Sequence, residues 1–123
     1  MQVVEFLLNL PQIDVNMPQN QGATPFFLAC QKGHEEVVKL LLADLRIDVN
    51  RAIQDGDSPF LMACYCGHPE VVSLLLADMR IDVNKLSEDG CTPLNMACQE
   101  GHTEVVSLLL ADSRIYVNKV NEN

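Results

Sequence analysis

The chain is 123 residues long, with 8 basic and 17 acidic side chains and a formal net charge of -9. So acidic a surface repels a phosphate backbone and suits a basic or neutral partner, which argues against nucleic-acid binding. No apolar run approaches the roughly 18 residues of a membrane span, and no basic region precedes the apolar start, where Glu5 is the only charge; neither a membrane segment nor a secretory leader is expected.

The opening residues 1–16 carry Val3, Val4, Leu7 and Leu8 at the i, i+1, i+4, i+5 spacing that gathers apolar side chains on one helical face. The same stripe returns as Val37-Val38-Leu41-Leu42, Val71-Val72-Leu75-Leu76 and Val105-Val106-Leu109-Leu110. Sliding the sequence by 34 positions also brings Gly22, Gly56 and Gly90 into register, then Pro25, Pro59 and Pro93, then Gly33-His34, Gly67-His68 and Gly101-His102. Asn16, Asn50, Asn84 and Asn118 close the series. A period of this size marks a stacked-repeat protein. The expected division is a half repeat over 1–16, full repeats over 17–50, 51–84 and 85–118, and a polar tail over 119–123, all in one domain spanning 1–123. Read this way the chain opens in mid-repeat and stops where another hairpin would form, as an excerpt from a longer array would. Bare apolar ends expose such an excerpt to self-association.

Within each full unit, Thr24-Pro25, Ser58-Pro59 and Thr92-Pro93 place a hydroxyl N-cap before a proline at the first helical position. The helix so begun should run to Lys32 and its equivalents. It should end at Gly33, Gly67 or Gly101, where a left-handed residue is least costly without a Cβ. A second helix follows with Glu35 and Glu36, Glu70 or Glu104 in its first turn, favourable at the positive end of the helix dipole. Its apolar stripe needs a neighbouring unit to cover it.

These residues resemble the ankyrin repeat. Thr92-Pro93-Leu94-Asn95-Met96-Ala97 is the nearest copy of the Thr-Pro-Leu-His-x-Ala opening, and the Gly-His turn, the Val-Val-x-Leu-Leu-Leu run and the closing Val-Asn extend the match over nearly the whole chain. The resemblance implies an all-α repeat solenoid of stacked helix-turn-helix units joined by β-hairpin-like loops. It also implies a non-catalytic protein–protein interaction module that needs no cofactor and grips a partner on its concave face, formed by the hairpin tips and first helices. A structural spacer in a multidomain protein and an adaptor that recruits substrates to a modifying enzyme are the alternatives. Two departures stand out. The motif histidine is replaced by Phe27, Leu61 and Asn95. Each unit also has one residue more than the usual 33, in Ala43-Asp44-Leu45-Arg46-Ile47 and its copies, where the family has a glycine and where the conformation is left open.

Cys30, Cys64 and Cys98 recur at the repeat interval and invite a disulfide or metal reading. Stacked helices lie about 8–10 Å apart, beyond the roughly 4.4–6.8 Å between Cα atoms that a disulfide needs. These three are expected to be small core residues, with Cys66 and Cys91 exposed. Unpaired thiols without a leader point to the cytoplasm, or the nucleus. His34, His68 and His102 follow the cap glycines and are expected to order the inter-helix turns, since no nucleophile or carboxylate recurs with them in a catalytic arrangement. The columns Asp44/Arg46, Asp78/Arg80 and Asp112/Arg114 read as a solvated ion-pair row, and Asp14, Asp48 and Asp82 as hairpin residues.

Function in a repeat scaffold lies where the copies differ. The columns beside the hairpin and cap glycines read Gln21, Ala23, Gln31 and Lys32 in the first unit. They read Gln54, Asp55, Asp57, Tyr65 and Cys66 in the second, and Glu88, Asp89, Cys91, Gln99 and Glu100 in the third. These fourteen are the candidate partner-binding residues. Tyr65, the one aromatic among them, is the expected anchor, and the acids around it favour a basic segment, the composition of a hot spot and its rim. No metal, membrane or small-molecule site is expected.

Overall fold

The computed structural model describes residues 22–115. Six short helices follow in order: α1 Pro25–Lys32, α2 Glu35–Leu42, α3 Pro59–Cys66, α4 Pro69–Leu76, α5 Pro93–Glu100 and α6 Thr103–Ala111. Each pair is a helix-turn-helix. The pairs stack in register, so that α1, α3 and α5 form one layer and α2, α4 and α6 the other. The expected all-α solenoid is therefore what forms. The half repeat 1–16 with Asp14, the candidate Gln21 and the tail 119–123 lie outside the described residues.

The helix starts are set by local chemistry. The hydroxyls of Thr24, Ser58 and Thr92 are buried, and each accepts from the backbone N–H three residues on, at 3.1, 3.1 and 3.0 Å. In the third unit Asn95 also returns its side-chain oxygen to the Thr92 N–H at 3.1 Å, completing a capping box that Phe27 and Leu61 cannot make. The first helices stop at glycines in the left-handed region, with φ of 74° at Gly33, 77° at Gly67 and 75° at Gly101.

Between the units, the tip of the second hairpin is closed by the Ile53 N–H donating to the Asp57 carbonyl, with Gly56 N–H turning back on the Ile53 carbonyl. The third repeats this geometry at Ser87, Cys91 and Gly90. No ladder extends beyond these bonds, and no strand forms among the described residues.

The core is one continuous cluster threaded through the seams. Phe26, Cys30 and Val38 of the first unit are wholly buried, as are Ala63, Cys64 and Val72 of the second. Burying a side chain such as Phe26, Val38 or Val72 contributes about 1.5–3 kcal/mol, and each unit gains it only with a neighbour present. One expectation is corrected here. Cys98, the third member of the cysteine column, is exposed, because no described helix lies against that side of α5 as α3 and α5 do against Cys30 and Cys64.

The loops with the extra residue need no glycine. After α2 the chain stays right-handed at Ala43, and the Asp44 N–H donates to the Leu41 carbonyl. The Asp44 carboxylate then takes three bonds from Arg46: from its backbone N–H at 2.9 Å, Nε at 3.0 Å and Nη2 at 2.7 Å. Asp78/Arg80 and Asp112/Arg114 repeat the lock. The reading of this row as solvated ion pairs is incomplete. Arg80 Nη2 also donates to the Leu42 carbonyl at 2.7 Å, and Arg114 Nη2 to the Leu76 carbonyl, so each guanidinium closes the helix end of the preceding unit.

The histidines likewise do more than order their own turns. His68 Nε2 lies 2.7 Å from the Gln31 carbonyl oxygen, and His102 Nε2 lies 2.8 Å from that of Tyr65, both in the preceding unit. Asn50 adds two bonds to the following unit, donating to the Arg80 carbonyl at 2.7 Å and accepting from the Asp82 N–H at 2.8 Å.

Candidate functional site

Stacking the second unit on the third sets two hairpin tips side by side at the N-terminal ends of α3 and α5. Each tip is short and turns through a glycine, and Gly56 faces the backbone and Cβ of Glu88 in the next tip. The acids flanking these glycines are thereby drawn together. Asp55 and Asp57 from one tip, and Ser87, Glu88, Asp89 and Cys91 from the other, form the walls of an open groove of about 380 Å³. Tyr65 from α3 and Met96 and Gln99 from α5 complete its lining. Tyr65 is 39% exposed, in keeping with its place on a surface rather than in the core.

The electrostatics follow from this crowding. Partial burial raises the Asp57 carboxyl above the ordinary carboxylate range, and the charges of Asp55, Asp89 and Glu88 push it further the same way. The described ion pairs are made by Lys39, Arg46, Arg80 and Arg114, none of which pairs with a groove carboxylate. A cationic group entering the groove would relieve that repulsion.

Of the fourteen candidate residues, the groove unites seven: Asp55, Asp57, Tyr65, Glu88, Asp89, Cys91 and Gln99. Lys32, Cys66 and Glu100 belong together elsewhere, on the last residues of α1, α3 and α5. There burial raises the Cys66 thiol, Glu100 adds to the rise, and Lys32 opposes it. Gln31 is half-buried and contributes its carbonyl to His68. Gln54 is exposed with its side chain against Gly22. Ala23 is only 7% exposed and offers a partner little surface, whereas Asp57 and Cys91 in the same column remain half-exposed. Cys66 and Cys91 are likewise half-buried rather than exposed.

Two lining residues, Ser87 and Met96, are not among the fourteen candidates, and the one that the sequence disguised is Met96. Its column, Leu28, Met62 and Met96, is apolar in every unit and so reads as core. Among the described residues no group of three His, Cys, Asp or Glu side chains is arranged to hold a metal ion, and no helix is long and apolar enough to cross a membrane.

A family model described as ankyrin repeats (3 copies) matches this chain over residues 1–53 and 47–121. No curated protein matches it.

Proposed function

The chain belongs to the ankyrin-repeat family, whose members are in general protein–protein interaction modules, and from that premise we propose that it binds a basic segment of a partner protein in the groove between its second and third units. Tyr65 is the anchor, offering a flat apolar face with cation–π capacity. Asp55, Asp57, Glu88 and Asp89 supply the charge, and Cys91, Met96 and Gln99 the remaining contact. The role is recognition, without catalysis. All five cysteines are free thiols, a state kept in reducing compartments, and the proposed setting is the cytoplasm or nucleus.

The observation that carries this reading is the convergence of four carboxylates and one accessible aromatic ring on a single groove, with one carboxyl already raised by its partial burial and by the neighbouring charges. Attraction of this kind adds specificity and speeds encounter more than it adds raw affinity.

The test compares two charge-matched variants in their binding of a fluorescein-labelled hexa-arginine peptide. Asp57→Asn/Glu88→Gln removes two charges from the groove, whereas Glu35→Gln/Glu36→Gln removes two from the first turn of α2. The groove variant and Tyr65→Ala should weaken binding by about tenfold or more, and the α2 variant by less than about twofold. Affinity should also fall as salt rises. Equal weakening by both double variants would mean that the peptide reads net charge alone, and the groove assignment would be wrong.

A further inference from the structure

Tyr65 lies in the last turn of α3, where carbonyl oxygens have no partner within the helix. Its own carbonyl is taken by His102 of the next unit, at 2.8 Å from Nε2. A carbonyl can only accept, so Nε2 carries the proton there, in the neutral tautomer that bears it or in the imidazolium. The ring is also seated against the turn that leaves α3: a methyl group on Gly67 would fall inside the imidazole. One side chain of the third unit thus fixes both the backbone of Tyr65 and the turn two residues on. The opposite wall of the groove, Ser87 to Cys91, belongs to the same unit as His102.

We propose that His102 is a positioning residue for partner binding: through the Tyr65 carbonyl it holds the Tyr65 ring against the acidic wall, so the groove is competent only while this bond is made. The proposal rests on the binding role given above. The repeat supplies its own control. His68 makes the same bond to the Gln31 carbonyl at 2.7 Å and its ring is seated against Gly33 in the same way, but Gln31 lies outside the groove. If these bonds only held units together, the two histidines would matter alike for binding. If His102 acts through Tyr65, only His102 matters.

The experiment titrates the labelled hexa-arginine peptide against the wild-type chain, His102→Ala, His102→Gln, His68→Ala, Tyr65→Ala and the double variant Tyr65→Ala/His102→Ala, at a temperature where circular dichroism shows all to be folded. His102→Ala should weaken binding by about fivefold, the effect of one ordinary hydrogen bond. His102→Gln, whose amide can donate to the same carbonyl, should recover most of that loss. His68→Ala should bind as wild type does, and His102→Ala should add nothing in the Tyr65→Ala background. Wild-type affinity in His102→Ala, no recovery by glutamine, equal weakening by His68→Ala, or an undiminished effect without the Tyr65 ring would each overturn the proposal. Should the wild-type chain fail to bind, the binding role falls and the positioning role with it. Should Tyr65→Ala lose binding while His102→Ala keeps it, the positioning role falls alone.

Discussion

Replacing Gly67 with alanine tests how the units are joined, because Gly67 and Gly101 share a backbone conformation but not a neighbour. With φ of 77° and 75°, both positions charge an L-residue about 1–2 kcal/mol for the left-handed region. At Gly101 nothing lies within 4 Å of an added methyl group, so that is the whole cost. At Gly67 the methyl group collides with the His102 ring, which must swing away and give up its bond to the Tyr65 carbonyl. A hydrogen bond of that kind contributes about 0.5–1.5 kcal/mol. Gly67→Ala should therefore cost about 1.5–3.5 kcal/mol and Gly101→Ala about 1–2 kcal/mol. Gly33→Ala, which meets His68 in the same manner, should match Gly67→Ala. Urea unfolding followed by far-ultraviolet circular dichroism, extrapolated linearly to water, measures all three. Equal losses at Gly67 and Gly101 would show that the histidine is not held against the turn, and the account of the seam would fail.

Asp57→Asn should stabilise the fold at neutral pH while weakening peptide binding. The folded state raises this carboxyl, so its ionisation opposes folding above the raised value; the gain from asparagine should vanish as pH falls and Asp57 protonates. The Asp78 carboxyl behaves oppositely. The Arg80 side-chain bond holds it below the ordinary range, so its contribution is whole above that range and is lost as pH falls through the depressed value. Thermal melts of Arg80→Ala should accordingly differ most from wild type at neutral pH and less in strong acid, where only the loss of the bond to the Leu42 carbonyl remains; a difference that does not shrink would contradict the lock. Thiol alkylation at neutral pH should reach Cys98 first and Cys66 and Cys91 next. Cys30 and Cys64, whose thiols burial pushes upward, should react only on unfolding, as peptide mapping would show. Fast labelling of Cys64 in the folded chain would contradict a closed seam.

What the sequence revealed was what local chemistry decides. Thr24-Pro25 and Ser58-Pro59 announce a helix start because a hydroxyl and a proline act within one turn, and Gly67 announces a stop because φ alone demands it. The helix pairs followed from the spacing of Val71, Val72, Leu75 and Leu76. What stayed hidden depends on partners a full unit away. The acceptor of His102 is 37 residues upstream, and that of Arg114 is 38. Nothing near either residue in the sequence marks them as bridges. Ala23 and Asp57 occupy one column, and only the structure shows that one is buried and the other half-exposed. Met96 shows the converse, an apolar column, Leu28, Met62 and Met96, that is half-exposed in every unit. The acidic groove itself was half legible: the residues beside the hairpin glycines could be named, but the pairing of one tip with the next is a property of the stack.

The most direct test of the groove is a backbone-amide NMR titration of the chain with the hexa-arginine peptide. Binding as described predicts shift changes concentrated at Asp55–Asp57, Tyr65, Ser87–Cys91, Met96 and Gln99, saturating together with one affinity. Changes spread over the acids of the second helices, Glu35, Glu36, Glu70 and Glu104, or centred on them, would contradict it.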